Sequence, residues 1–195
     1  MSRRRATPEL IAATAELTVL RDVERPGGRL LRQGGMDASY VDLADARHLE
    51  FAYLRRMRDV VVATGARRVV HVGGAGCALA RALAAAHPDH RQEVIELDGD
   101  VVEVARRHLG LRRAPGLRVR VGDGRALLAR RLDGSADVVL IDAFVGACVP
   151  RHLVTAEALA DLARVAGLAA VNVVDSRAML DAAAIAAGLR ADAPA

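Results

Sequence analysis

The stretch that decides the fold is residues 67–98, RRVVHVGGAGCALARALAAAHPDHRQEVIELD. Its first part, 68–72, is short, apolar and rich in β-branched side chains, which is typical of a buried parallel strand. The run GGAG at 73–76 follows, and small residues there allow a tight turn and the close approach of a ligand. A helix-forming segment, 77–86, and a second apolar run ending at Asp98 complete the pattern. These residues predict a strand, a turn, a helix and a second strand.

An acid at the end of the second strand indicates a nucleotide site. Glu96 lies 23 positions after Gly73, and in βαβ nucleotide sites an acid about 20 residues after the glycines binds the ribose hydroxyls. The glycines alone are a weak signal, because a dinucleotide pattern read from Gly74 needs a third glycine where Leu79 stands. A turn that only packs a helix onto a sheet is the alternative interpretation.

The composition fits one α/β domain with a small appendage. The chain has 195 residues, of which 52% are hydrophobic and 2% aromatic, and its net charge is +4. Arginines are interspersed with acids and aromatic stacking platforms are scarce, so we expect no nucleic-acid partner. No apolar run approaches the ~20 residues of a membrane span, and no apolar signal region follows the basic start. We therefore expect a cytoplasmic protein without a membrane partner.

The two cysteines, Cys77 and Cys148, lie in apolar segments without metal-ligand spacing. We expect both to be buried free thiols, and we expect no metal site. His71 ends an apolar strand, and we expect it to be a hydrogen-bonded core histidine. Asp98 is expected to cap the helix that follows it.

The first 45 residues predict a small N-terminal β appendage. A loose basic lead and a short helix from Pro8 to Glu16 are expected first. Segments 17–23, 29–33 and 36–43 then alternate with turn signals and predict three antiparallel strands. We place the boundary after residue 45, so that residues 46–195 form a Rossmann-like domain opening with an amphipathic helix over 46–64.

Strands and helices alternate through the rest of the chain. Further strands are predicted at 116–121, 136–141 and 169–174, and further helices at 100–109, 125–132, 150–165 and 176–189. This alternation predicts a doubly wound, mainly parallel sheet. The segment 169–174 would be an uncharged edge strand, so we expect the chain either to form homo-oligomers or to be a fragment of a longer protein.

Ligands bind at the carboxyl ends of parallel strands, where several acids and glycines converge. The alternative interpretation of Asp123, from its Gly-Asp-Gly context, is a turn residue, and that of Asp142 is a helix cap or a turn acid. If the strand order is the usual one, the ends of these strands lie together and form one site. The converging residues are Gly73, Gly74, Gly76, Glu96, Asp123, Gly124 and Asp142.

Four motifs resemble the spermidine synthase family: VHVGGAG at 70–76, VIELD at 94–98, VGDG at 121–124 and ID at 141–142. That family consists of aminopropyltransferases on the class I S-adenosylmethionine-dependent methyltransferase fold. The stretch YVDLADARHLEFAY, at 40–53, is similar to the segment that joins the N-terminal β domain to the catalytic domain in spermidine synthase-like proteins of actinobacteria.

The resemblance implies a role for each residue of the site. Gly73, Gly74 and Gly76 would pass the methionine-derived part of decarboxylated S-adenosylmethionine, or of S-adenosylmethionine itself. Glu96 would hold the ribose hydroxyls, and Asp123, beside Gly124, would accept a hydrogen bond from the adenine amine. Asp142 would act as the general base on a small amine, and Tyr53 would line the amine pocket.

The chain departs from the family pattern in places, and two alternatives stay open. Val145 stands where the family usually has a second acid, and Ala38 stands where a glutamine is expected. The sixth and seventh strands of the fold have no counterpart in residues 176–195. A small-molecule methyltransferase and a non-catalytic nucleoside-binding relative therefore remain.

Two more specific methyltransferase types are disfavoured. Asp142 in the run IDA also resembles metal-dependent O-methyltransferases, but Asn172 and Asp175 do not form the Asp-Asn pair that those enzymes need. No Asn/Asp-Pro-Pro-aromatic motif follows the strand at 136–141, which disfavours an adenine N-methyltransferase.

Overall fold

The computed structural model describes residues 7–112, 116–146, 148–174 and 180–191. The N-terminal part of these ranges is an antiparallel sheet with the strand order β1-β2-β3-β4. Its strands are β1 (Glu9–Ala13), β2 (Leu17–Arg21), β3 (Gly28–Gln33) and β4 (Met36–Asp42). The predicted appendage of strands is thus confirmed and contains one more strand than expected.

The helix predicted from Pro8 to Glu16 is wrong, because Glu9–Ala13 is strand β1. Its backbone pairs with β2, with Leu10 opposite Leu20 and a register shift before Ala12. Ala, Glu and Leu favour helices in isolation, but pairing with a neighbouring strand overrides this weak preference. The basic lead over residues 1–6 lies outside the described residues.

The α/β part carries a parallel sheet with the strand order β7-β6-β5-β8-β9. Its elements, in chain order, are α1 (Ala52–Ala63), β5 (Arg68–Gly73), α2 (Ala78–Ala86), β6 (Arg91–Glu96), α3 (Gly99–His108), β7 (Leu117–Val121), α4 (Gly124–Ala129), β8 (Ala136–Asp142), α5 (Ala156–Val165), β9 (Ala166–Val171) and α6 (Leu180–Ala191). The predicted doubly wound sheet is confirmed. From β5 the chain proceeds to one edge of the sheet through β6 and β7, and it then returns to the other side of β5 with β8 and β9. Sheets of this kind bind ligands at the point between β5 and β8 where this change occurs.

Several predicted boundaries are displaced. Helix α1 begins at Ala52 instead of residue 46, and α5 begins at Ala156, after a 3₁₀ turn over Arg151–Leu153. Strand β9 covers Ala166–Val171 instead of 169–174, because the small residues that follow α5 already pair with β8. The start of the last predicted helix, 176–179, lies outside the described residues.

Two hydrophobic clusters cover the two faces of the parallel sheet. One contains Val69, Val94 and Leu140 from the sheet, together with Leu31 and other apolar residues of the N-terminal sheet. The other holds the alternate residues of β5, β6 and β8 against α4 and α5. The N-terminal sheet therefore packs against the α/β part through a shared core. As far as the structure describes them, the helices are too short or too polar to cross a lipid bilayer.

Cys77 is buried, as expected, but Cys148 is exposed, so the prediction of two buried thiols is wrong for Cys148. Cys148 pairs with Val145 in an isolated bridge in the loop after β8, outside any core-forming element. Neither cysteine forms a disulfide.

Candidate active site

The glycine-rich turn begins where β5 ends. Gly73 and Gly74 have φ angles of 78° and 100°, a region that residues with side chains rarely adopt. A Cβ atom on Gly73 would lie 2.5 Å from the backbone oxygen of Asp142, whereas one on Gly74 would meet nothing within 4 Å. Gly73 thus allows the ends of β5 and β8 to lie close together, and Gly74 presents open backbone.

The third glycine of the turn, Gly76, faces the protein. A Cβ atom there would lie 2.7 Å from Ser39 Oγ, on β4. Ala75 and Cys77 also have positive φ angles, 43° and 58°, which are uncommon for residues with side chains. The backbone of the turn is therefore strained. The absence of a side chain at Gly76 allows the turn to pack against Ser39 of the N-terminal sheet.

Glu96 connects this turn to the end of β6. Its Oε2 accepts a hydrogen bond from the backbone N–H of Ala75 at 3.2 Å, and its Oε1 accepts one from the N–H of Asp98 at 3.1 Å. Burial raises the pKa of the Glu96 carboxyl, and these hydrogen bonds oppose the shift. A carboxylate accepts about four hydrogen bonds, so Glu96 keeps acceptor capacity for a hydroxyl group of a ligand.

Asp98 caps helix α3, as predicted. Its Oδ1 accepts hydrogen bonds from the N–H groups of Asp100 and Val101, at 2.9 and 3.4 Å. Its Oδ2 accepts one from Gln33 Nε2 at 3.2 Å, which joins β3 of the N-terminal sheet to the α/β part. Asp98 therefore fixes the start of α3 and connects the N-terminal sheet to the α/β part beside the site.

Asp123 lies at the end of β7 and caps α4. Its Oδ1 accepts a hydrogen bond from the N–H of Ala126 at 3.0 Å, while its Oδ2 lies 3.7 Å from His152 Nε2. The side chain is 44% exposed, so a ligand can reach it. Gly124 is buried, and a Cβ atom on it would lie 2.4 Å from Val72 Cγ1. The structure thus gives Gly124 a packing role.

Asp142, the last residue of β8, is held by two side chains. Tyr53 Oη donates to its Oδ2 at 3.1 Å, and Asn172 Nδ2 donates to its Oδ1 at 2.9 Å. Burial raises the pKa of the Asp142 carboxyl, while the hydrogen bonds from Asn172 and Tyr53 lower it. Within the described ranges no backbone N–H donates to this carboxylate, so Asp142 is not a helix cap.

Tyr53 reaches Asp142 from the first turn of α1. Its ring stacks on Phe51, with the ring centroids 5.9 Å apart. Burial and the neighbouring Asp142 charge raise the pKa of Tyr53, so the phenol keeps its proton and remains a donor.

Asn172 is the site residue that the sequence analysis missed. The register pairs Ile141 with Val171, which brings Asn172 beside Asp142, and the Asn172 N–H also donates to the Ile141 carbonyl at 2.8 Å. The available signal was one polar residue in the apolar run AAVNVV, at the carboxyl end of the strand next to β8. The sequence pattern had suggested Asn172 only as a metal ligand together with Asp175, which lies outside the described residues.

A small cavity of about 20 Å³ lies beneath the site, between Ser39, His71, Tyr53 and Asp142. Its volume suits one water molecule. His71 is buried, and its Nε2 lies 2.9 Å from Gln92 Oε1, so the predicted core histidine is confirmed. Burial lowers the pKa of His71 to about 4, which keeps the ring neutral at physiological pH. Among the described residues, no three acidic, histidine or cysteine side chains form a metal-binding cluster.

No family model matches the chain. The curated polyamine aminopropyltransferase of Vibrio vulnificus (strain CMCP6) is 32% identical over 123 residues, which cover 62% of this chain and 41% of that protein. The chain therefore spans less than half the length of this relative.

Solved structures show similar folds. A probable spermidine synthase from Corynebacterium glutamicum ATCC 13032 superposes with a TM-score of 0.84 at 26% identity, covering 95% of this chain and 71% of that one. A spermidine synthase in complex with the transition state analogue AdoDATO gives a TM-score of 0.61 at 19% identity, covering 80% and 54%. Human methyltransferase-like protein 13, in complex with SAH, gives 0.54 at 22% identity, covering 71% and 67%.

The fold and the strand-end acids define a class I methyltransferase-like α/β protein with an N-terminal antiparallel sheet. Within this class, the chain is similar to a curated polyamine aminopropyltransferase and to a probable spermidine synthase. The resemblance drawn from the sequence motifs is thereby confirmed.

Proposed function

We propose that the chain is an aminopropyltransferase that uses decarboxylated S-adenosylmethionine and an amine. The observation that carries the proposal is the position of Asp142. Its carboxylate lies at the carboxyl end of β8, next to Gly73, and is held by the side chains of Tyr53 and Asn172. The relatives named as aminopropyltransferases and spermidine synthases support this assignment.

The residues around the turn suit a nucleoside-bearing donor. Glu96 has lone pairs left for ribose hydroxyls, Asp123 has an exposed carboxylate for the adenine amine, and Gly74 has open backbone for the aminopropyl arm. These three lie at the ends of adjacent strands. Gly76 and Gly124 support the site indirectly, through the close packing that their missing side chains permit.

The chemistry assigned to Asp142 is proton transfer. An aliphatic amine is protonated at neutral pH and must lose a proton before its nitrogen can attack carbon. The Asp142 carboxylate attracts the ammonium group and accepts that proton, and burial makes it more basic than an ordinary aspartate. The amine nitrogen then bonds to the aminopropyl carbon that is attached to the sulfonium sulfur, the bond between that carbon and sulfur breaks, and neutral methylthioadenosine leaves.

A small-molecule methyltransferase is the second candidate. Val145 stands where the family usually has a second acid, and because it is a valine it supplies no carboxylate for the far end of a diamine. Methyl transfer from S-adenosylmethionine would use the same donor residues and the same base.

The test supplies the purified chain with each donor and a panel of amines. Mass spectrometry then distinguishes methylthioadenosine from S-adenosylhomocysteine. We expect methylthioadenosine to form from the decarboxylated donor, and Asp142→Asn to lower the rate by about 10²–10⁴ while nucleoside affinity stays within about tenfold. Release of S-adenosylhomocysteine would favour the methyltransferase. Full activity of Asp142→Asn would exclude Asp142 as the base.

A further inference from the structure

A groove of about 440 Å³ runs between α1, the end of β9 and α6. Its volume falls in the usual range of small-molecule sites, about 300–1,000 Å³. The wall is largely apolar and includes Met57, Val60, Val171, Val173 and Ile185.

The groove adjoins the proposed base through two of its lining residues. Tyr53 and Asn172 line it, and both donate hydrogen bonds to the Asp142 carboxylate. An acceptor whose amine lies at Asp142 would therefore extend the rest of its length along this groove.

The charge along the groove is basic. Arg56 is the one charged side chain among the described residues that line it. It is exposed, and in the described part of the chain it forms no ion pair. Arg56 lies three residues after Tyr53 on α1, so the two side chains are neighbours on one helix face. A second ammonium group would meet a like charge and apolar walls here, whereas an anion would meet a free guanidinium.

We propose that the acceptor for this groove is a primary amine with an apolar chain that ends in an anionic group, instead of a diamine. This inference rests on the proposed function in one respect, because it places the amine at Asp142. The apolar wall binds the chain, Asp142 binds the ammonium and Arg56 binds the distal anion.

The experiment compares three five-carbon amines that differ only at the far end: 5-aminopentanoate, pentylamine and cadaverine. Calorimetry measures the affinity of each with and without saturating methylthioadenosine. We expect 5-aminopentanoate to bind most tightly, pentylamine next and cadaverine least. Arg56→Gln should lower the affinity for 5-aminopentanoate by about two- to fivefold, the range of an exposed ion pair, and leave pentylamine unchanged.

Arg58→Gln is the matched control. Arg58 lies on the same helix, pairs with Asp59 and does not line the groove, so its loss changes the net charge equally without changing the ranking. The inference is overturned if cadaverine binds most tightly, if no amine binds, or if Arg58→Gln and Arg56→Gln act alike. If the ranking holds but no aminopropyl group is transferred, the groove assignment stands and the proposed reaction fails.

Discussion

At the scale of single residues, Asp142 experiences two opposing influences. Burial favours the protonated acid, and the hydrogen bonds from Asn172 and Tyr53 favour the carboxylate. A carboxylate that burial makes more basic than an ordinary aspartate is suited to taking a proton from an ammonium group. We therefore propose that Tyr53 positions Asp142 and also lowers the pKa of this carboxyl.

The variant Tyr53→Phe tests this adjustment. The proposed base Asp142 would act in its deprotonated form, so we expect the rate to fall as the pH drops through its pKa. Removing the phenol removes a hydrogen bond that stabilises the carboxylate, so the pKa of Asp142 should rise and the acidic limb of the kcat profile should move to higher pH. The phenylalanine ring can keep the stack on Phe51. An unchanged limb with a lowered kcat would mean that Tyr53 only lines the pocket.

Glu96 is expected to supply a large part of the nucleoside affinity. Glu96→Ala removes a charged acceptor from two ribose hydroxyls and should weaken methylthioadenosine binding by about 1.5–3 kcal/mol. The same change frees the N–H groups of Ala75 and Asp98. Glu96→Gln, which keeps one acceptor oxygen, serves as the comparison, and thermal unfolding of both variants reveals any loss of folding. Calorimetry that finds parental affinity in the alanine variant would refute the ribose assignment.

At the scale of elements, the local sequence predicted a candidate site residue only where that residue's place at the end of its own strand was enough to identify it. Glu96, Asp123 and Asp142 were found because acids directly follow apolar strands. Asn172 lies 30 residues from the carboxylate it binds, and Gln33 lies 65 residues from Asp98, so these contacts depend on strand order and register. Strand β1 was missed for the same reason, since pairing with β2 decides its conformation.

The packing of α4 on β5 gives a prediction about Gly124. A Cβ atom there would lie 2.4 Å from Val72 Cγ1, so Gly124→Ala should destabilise the protein by about 1–3 kcal/mol, as overpacked cores do. Denaturant unfolding measures the loss, and adding Val72→Ala should restore part of it. Gly99→Ala is the matched control, because Gly99 also follows an acidic N-cap but its nearest contact would be 3.7 Å away. Equal losses in both variants would contradict the packing explanation.

At the scale of the whole molecule, the alternation of strands and helices predicted the parallel sheet, and with it the carboxyl ends of the strands as the place of the candidate site. The relation between the two sheets was not predictable from the sequence. Leu31 of the N-terminal sheet shares a core with Val69 and Leu140, and Gln33 bonds Asp98 across the two parts. We propose the domain boundary after residue 45, with the first part acting as a support for the glycine-rich turn, since Ser39 lies against Gly76.

The edge of the parallel sheet gives the last prediction. Within the described residues, β9 pairs with β8 on one side only, and its sequence AGLAAV has no charge or proline to prevent pairing with another chain. Leu168 on this strand is 37% exposed. We expect the chain to self-associate, so light scattering over a concentration series should give a mass above 20.6 kDa.

Leu168→Lys should lower that mass, because a charge at an edge strand opposes strand addition. Leu132→Lys adds the same charge at a side chain that is 80% exposed in the turn after α4, and it should leave the mass unchanged. A parent protein that scatters as a monomer at every concentration would show that this edge does not drive association.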